Sequence, residues 1–376
     1  MDFGMFSLMQ YRDPAKPARQ VIDEVIEQSQ FAEKMGLSAS WFAEHHFSNY
    51  ALCPSPLLMC AAVARATTRI RVATGVVLLP LYRPARLVSE IAFVDALSQG
   101  RLVLGVGSGY QAYEFERFGE DLKESKDKTV EFLEIIEKGL SEDFFDYEGN
   151  YYALPETHIS SRPTGAMEIW MAGDSPILQG LAARKGYGAM IGGKTGGLNT
   201  VMEQRGWCME SFAREGVPED QVPFAVQRHC CVTLDPKVAD AYADNVLYQT
   251  RLTTSLRRRS EFMDGVMLKD TPFPGEPTHG SILNNLLIGR PEQVAEKLSA
   301  EIRSLRPKHM CFHFQVGNFA HQNALKSIEL LATEVLPLVE KELGDLSKIG
   351  VTMPRVERLG AGRQEHLRQP SVVLRC

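Results

Sequence analysis

Residues 101–110 read Arg-Leu-Val-Leu-Gly-Val-Gly-Ser-Gly-Tyr, an apolar run from Leu102 to Val106 that breaks into the turn Gly107-Ser108-Gly109. A short run that is apolar at every position, rather than at alternate ones, reads as a strand covered on both faces. Such strands belong to parallel sheets with helices packed against them. Upstream, Ala85 to Leu97 reads as a helix stopped by Gly100, and Ile70 to Leu79 is a β-branched run bounded by Pro80. Further out, Val21 to Met35 and Pro54 to Ala66 read as helices, and Phe3 to Met9 and Ser40 to Ala43 as short apolar strands. The early strands recur about every 30 residues, the cadence of βα units.

The rhythm continues downstream. Glu168 to Ala172, Ala189 to Ile191, Val222 to Leu234 and Lys308 to Phe314 read as strands. Lys123 to Leu140, Ile177 to Lys185, Val201 to Glu215 and Ala324 to Leu343 read as helices. Core strands therefore start near residues 3, 39, 70, 102, 168, 187, 222 and 308. Eight is the number that a closed (β/α)8 barrel requires. The expectation is an α/β chain: one TIM barrel over residues 1–343 with insertions, and a basic, irregular C-terminal tail over 344–376. The insertions are a hairpin near 143–154 turning at Gly149-Asn150, and a Pro/Gly-rich segment, Leu256 to Asn285, that opens with Arg257-Arg258-Arg259 and is too long for an ordinary loop. The tail carries Arg355, Arg358, Arg363, Arg368 and Arg375, and reads either as solvated chain or as an arm onto a partner subunit.

Composition excludes several classes. With 41 Lys and Arg against 47 Asp and Glu, the net charge of -6 gives no general attraction for nucleic acid or anionic lipid. No apolar run approaches the length of a membrane-spanning helix, and the N-terminal MDFGMFSLMQYRDP lacks the basic-then-apolar pattern of a signal peptide. Seven scattered Cys without a CxxC pair fit free thiols in a reducing cytoplasm.

Three motifs tempt and fail on context. Gly188 to Thr195 matches GxxxxGK[ST], but a helix end precedes the first Gly and no helix follows Thr195. Gly105 to Gly109 starts like a dinucleotide fingerprint but carries Tyr110 where a third glycine belongs. His309, Cys311 and His313 share one strand face, yet successive same-face positions lie about 7 Å apart and no ligand set is complete. No metal is expected. More informative is Glu44-His45-His46-Phe47 at the end of the second strand, because barrel active sites are built at strand C-termini and a His there titrates near neutral pH. Phe6, Trp41, Phe42 and Tyr110 fit either an apolar pocket or core packing.

In combination, Trp41 to Phe47, Thr74 to Pro80, Gly100 to Gly109, Ile169 to Ser175 and Ile288 to Val294 resemble the bacterial-luciferase-like flavin monooxygenases over residues 1–343. The resemblance implies an enzyme that takes FMN as FMNH2, delivered by diffusion from a separate flavin reductase, and uses O2 through a flavin hydroperoxide to oxygenate a small organic substrate. It implies catalytic roles for His45, Glu44 and Arg228, the last being similar to an arginine of sulfonate-oxidising members. It implies cofactor contacts from Thr74, Gly75, Val76, Gly107, Ser108, Gly109, Asp174 and Ser175, with a non-prolyl cis peptide at Gly75-Val76 and the flavin phosphate at Asp174-Ser175. A homodimer through the helices near 54–66 and 85–99 is implied too, and the long segment 256–285 occupies the place of the family's lid. Luciferase itself has a Cys-Arg pair where this chain has Gly107-Ser108, so the phosphate loses an arginine. Two alternatives stay open: a deazaflavin-dependent hydride-transfer oxidoreductase of the same superfamily, and a non-catalytic flavin-binding relative.

Overall fold

The computed structural model describes residues 1–353; the five tail arginines lie outside the described residues. Eight parallel strands form the barrel: β1 (Asp2–Ser7), β2 (Ala39–Phe42), β3 (Arg71–Thr74), β4 (Leu102–Gly107), β5 (Glu168–Ala172), β6 (Gly188–Gly192), β7 (Phe224–Val232) and β8 (His309–His313). Each pairs with the next, and β8 pairs with β1 at Gly4–Cys311 and Phe6–His313, which closes the sheet. A closed sheet leaves no unpaired edge. The starts read from the sequence agree within two residues. The stretch resembling a phosphate loop is β6 itself.

Helices surround the strands: α1 (Ala18–Lys34), α2 (Pro56–Ala66), α3 (Pro84–Ser98), α4 (Ala112–Phe118), α5 (Ser125–Ser141), α6 (Pro176–Lys185), α7 (Leu198–Arg214), α8 (Pro236–Arg258), α9 (His279–Asn285), α10 (Pro291–Leu305), α11 (His321–Leu330) and α12 (Leu336–Leu343). A π turn, Leu331–Val335, joins the last two into the single helix that the periodicity predicts. The hairpin insertion pairs Phe145–Glu148 with Ala153–Thr157.

Two corrections concern the insertions. The segment 256–285 is not a structureless loop. α8 runs through Arg258, Arg259 turns the chain at φ 53°, and Met263–Asp264 pairs with Met267–Leu268 before α9 begins. Leu268 then packs with Leu8, Tyr50, Tyr113, Tyr248, Leu252 and Leu256, and its N–H donates to Asn49 Oδ1 at 2.7 Å. A strand at Leu287–Gly289, pairing with the end of β7, is also absent from the sequence reading.

The second correction concerns residues past 343. The Met1 ammonium donates to the Leu346 carbonyl at 2.5 Å, and Met353 is buried against Ala39, Trp41, Ala73, Val103, Trp170, Met190, Ala225 and Cys311, the interior of the barrel. The N-terminal end of the barrel also carries an ion pair between Arg71 and Glu168 at 2.6 Å, with His309 Nε2 3.6 Å from the same carboxyl and its own pKa lowered by burial. Burial alone would lift the Glu168 carboxyl; His309 and Arg71 overcome it and hold it at about 2. The N-terminal end of the barrel is thus filled by apolar packing and by the Arg71–Glu168 ion pair. Met353→Ala should lower the unfolding free energy by about 2–3 kcal/mol through loss of this packing. An unchanged denaturant midpoint would show that Met353 seals nothing.

Candidate active site

All eight strands point the same way, so the segments that follow them gather at one mouth. β2 ends at Phe42, and the chain continues irregularly through Glu44, His45 and His46. β4 ends at Gly107; Gly109 turns the chain at φ 77°, where a Cβ would meet the Phe115 ring at 2.5 Å, and α4 follows. Glycine alone fits that approach and that dihedral. The turn places Glu114 in the first helical turn of α4, fully buried. Its Oε1 accepts from the His46 backbone N–H at 2.7 Å and lies 2.9 Å from His45 Nδ1. A carboxylate can only accept, so this bond places a proton on Nδ1 and leaves Nε2 of a neutral ring as an acceptor. Gln111 Nε2 lies 3.2 Å from the same Nδ1 and donates to Tyr110 Oη at 3.1 Å. The rings of Tyr50 and Tyr110 lie 4.7 and 5.7 Å from the imidazole. His45 is therefore held by the Glu114 carboxyl and flanked by two aromatic rings, with the Gln111 amide beside it bonded to Tyr110 instead.

Glu44 belongs to a different pair. Its Oε1 is 2.9 Å from His46 Nε2 and its Oε2 accepts from Leu78 N at 3.1 Å, beside the Tyr82 hydroxyl. Burial raises its carboxyl, with His46 pulling the other way. The expectation of a catalytic Glu44 is thus corrected: one oxygen meets His46 after β2, the other the segment after β3, and the carboxyl that touches His45 is that of Glu114. Sequence reasoning missed Glu114 because the pairing spans 69 residues. The only signal was an acidic residue in a helix first turn directly after the glycine turn.

The residues expected to hold a flavin cluster on the adjacent strand ends. The Gly75-Val76 peptide is cis, and Gly75 N donates to Phe42 O at 2.7 Å. Gly107 faces Val76 so closely that a Cβ there would lie 2.9 Å from Val76 Cγ2. Ser108 and Gly109 form the rim, partly exposed. Asp174 is exposed, and Ser175 caps α6 with a buried Oγ that has no hydrogen-bond partner. Thr74 is a correction: its hydroxyl donates to Gly105 O at 2.7 Å and accepts from Gly105 N at 2.9 Å, so it stitches β3 to β4 and offers nothing to a ligand.

Arg228 is the largest correction. In β7, His229 faces the interior beside His313, ring centroids 5.2 Å apart, so its neighbour Arg228 points outward into the helix layer. There it is fully buried. It bonds both oxygens of Glu301 on α10 at 2.7–3.0 Å and donates to the carbonyls of Gly193, Gly196 and Asn285. Every direction of the guanidinium is occupied, none by the pocket. Trp41 faces the interior beside His309, and Phe42 faces the helices, which leaves Phe6 and Tyr110 nearest the mouth among the four aromatics. Burial keeps His229 neutral, at about 4, and lowers His313 as well. Among the described residues no group of three or more His, Cys, Asp and Glu is arranged to hold a metal ion.

The surroundings fit a planar, polar ligand. Buried side-chain atoms of Gln10, Gln111 and Ser175 lack partners, and glycine backbone lines the ends of β3 and β4. Unmet hydrogen-bonding capacity of this kind is rare in a closed core.

A family model described as luciferase-like monooxygenase matches residues 1–308. The chain is 38% identical over 349 residues to the uncharacterized protein y4vJ of Sinorhizobium fredii, covering 92% of this chain and 99% of that one. It is 27% identical over 351 residues to the oxygenase component of the flavin-dependent trigonelline monooxygenase of Acinetobacter baylyi, covering 90% and 95%. In fold it is similar to the monooxygenase RslO1 from Streptomyces bottropensis, with a TM-score of 0.77 at 22% identity over 90% of this chain and 99% of that one.

Removing one member of a buried ion pair strands the other. Arg228→Ala should therefore destabilise the protein by about 3–5 kcal/mol, read by thermal or chemical unfolding. Normal stability with lost turnover would instead restore Arg228 to the reaction.

Proposed function

The chain belongs to the luciferase-like monooxygenase family, and from that premise we propose that it is an FMNH2-dependent oxygenase fed by a separate flavin reductase and acting on a small organic substrate. The observation that carries the reading is the Glu114–His45 pair at the mouth, beside the cis Gly75-Val76 peptide. Bound reduced flavin would supply the chemistry that splits O2, one atom going to the substrate and the other leaving as water as the flavin is oxidised. Gly75, Val76 and Gly107 to Gly109 would carry the ring. The Asp174-Ser175 turn would hold the phosphate, where free N–H groups at the start of α6 and the unpartnered Ser175 hydroxyl favour an anion.

Nε2 of His45, which the Glu114 bond leaves free, would accept or return a proton during the reaction. Glu114 keeps the Nδ1 proton in place and orients the ring. Leu268 and its apolar neighbours exclude water from the mouth, which suits chemistry that water would divert. Exposed Leu58 on α2 and Phe93 on α3 fit a homodimer through that face. Among the described residues no helix is long and apolar enough to cross a membrane, and a cytoplasmic site of action is part of the same proposal.

The test supplies enzymatically reduced FMN and 18O2 to a mixed library of small organic compounds and analyses products by mass spectrometry. One labelled oxygen per product molecule is expected. Unlabelled oxidation supported anaerobically by a deazaflavin would replace this reading with hydride transfer. His45→Ala should lower product formation by about 10²–10⁴-fold with an unchanged circular dichroism spectrum; Glu114→Gln should lower it less and shift the pH profile. Full turnover in His45→Ala would overturn the assignment.

A further inference from the structure

Two histidines of the barrel interior have no part in the chemistry at His45. His229 of β7 and His313 of β8 lie side by side, ring centroids 5.2 Å apart, and are 5% and 0% exposed. Gln249 Oε1 on α8 lies 3.1 Å from His229 Nε2. His229 Nδ1 and both ring nitrogens of His313 have no hydrogen-bond partner. The backbones of Lys194 and Gln315 approach the two rings without completing a bond. Buried polar atoms are nearly always satisfied, so these call for a partner that the chain itself does not supply.

The pair borders the candidate site on two sides. The Phe6 ring meets His313 edge-on with centroids 5.4 Å apart, and it also faces the cis peptide: a Cβ on Gly75 would lie 3.1 Å from Phe6 Cε2. Across the mouth, α8 links the pair to His45. One helical turn after Gln249, the Thr253 hydroxyl lies 3.0 Å from Tyr50 Oη, and the Tyr50 ring lies 4.7 Å from the His45 ring. His313 thus stands one aromatic ring away from Gly75. None of these groups brings a charge. Burial holds His229 neutral, at about 4, and lowers His313. Ala225 and Cys311 face the interior, as does Gln227, which pairs with Cys311 in register. Arg228, the arginine of β7, is turned outward to Glu301. Arg257, at the rim, is exposed and lies 4.0 Å from the centroid of the Tyr110 ring.

A neutral imidazole offers one N–H and one lone pair. Against such a wall a charged ligand group loses its water and gains no counter-charge, whereas an uncharged oxygen exchanges one hydrogen bond for another. We propose that His313 binds an uncharged carbonyl or hydroxyl oxygen of the organic substrate, so that the site takes neutral oxygen-bearing compounds with an apolar body and rejects carboxylates and amines. This rests on the oxygenase reading above. Phe6 lies against the apolar body, and Gln249 acts through His229, which it holds beside His313.

The experiment titrates the full-length protein, without flavin, with acetophenone, benzyl alcohol, toluene, benzoate and benzylamine, which share a phenyl ring and differ in the polar group. Affinity is read by calorimetry, and the histidine ring nitrogens by 15N NMR with His313 assigned from the His313→Phe variant. Acetophenone and benzyl alcohol should bind about tenfold more tightly than the other three, and both should shift the His313 nitrogens. Either order of these two supports the proposal and separates a carbonyl from a hydroxyl substrate. His313→Phe removes buried polar atoms that have no partner, so its unfolding temperature should not fall. In that variant acetophenone and benzyl alcohol should weaken about tenfold, and toluene by less than about twofold. Tightest binding by benzoate or benzylamine, no binding by any probe, or His313 nitrogens that ignore the ketone and the alcohol would overturn the proposal. No arm uses oxygen or reduced flavin, so such a failure leaves the oxygenase reading standing; that reading fails instead if the 18O2 experiment yields no labelled product.

Discussion

A carboxylate sealed from water keeps its charge only where donors surround it. Glu114 finds donors on the segment after β2, where one of its oxygens accepts from the backbone N–H of His46 and faces Nδ1 of His45, while its other oxygen has no partner. β2 and β4 flank β3 in the closed sheet, so this contact bridges the end of β3, where the cis Gly75-Val76 peptide lies. The second carboxylate, Glu44, ties His46 to Leu78 just beyond that peptide. Two adjacent histidines thus engage two buried carboxylates in opposite directions, and the backbone between them cannot rotate without breaking both pairs. The position of His45 follows from barrel closure rather than from its own loop.

The two ends of the barrel differ in kind. At the N-terminal end, Met353 and the Glu168–Arg71 pair fill the interior, and the chain past 343 contributes to that seal. At the mouth, polar atoms of Gln10, Gln111 and Ser175 are left unpaired, and a hairpin rests on an apolar cluster. The N-terminal end is filled by apolar packing, while the segments that follow the strands carry the polar side chains of the candidate site, the arrangement that (β/α)8 barrels show generally.

Much of this was legible in the sequence. Eight runs apolar on both faces gave strand positions within two residues, because burial on both sides leaves an uninterrupted signal. The Gly107-Ser108-Gly109 turn and the His45 segment fell at strand ends, where position alone marked them. What failed did so for physical reasons. Arg228 was given a role by resemblance alone, and a strand buried on both faces offers no alternation that would have shown it facing α10. Glu44 was given a catalytic role beside His45, but its oxygens meet His46 and Leu78, and the carboxyl that meets His45 comes from Glu114. Thr74 was read as a ligand contact, though its hydroxyl was already spent on Gly105. The covering segment concealed an extension of α8 and two-residue strands too short to leave a period.

The most direct test of the account is the protonation of His45 itself, read by 15N NMR with specifically labelled histidine in the full-length protein and in Glu114→Gln. The account predicts that above neutral pH the neutral ring carries its proton on Nδ1, with Nε2 unprotonated, and that Glu114→Gln weakens or abolishes this preference. A neutral His45 protonated on Nε2, or a tautomer unaffected by Glu114→Gln, would contradict it.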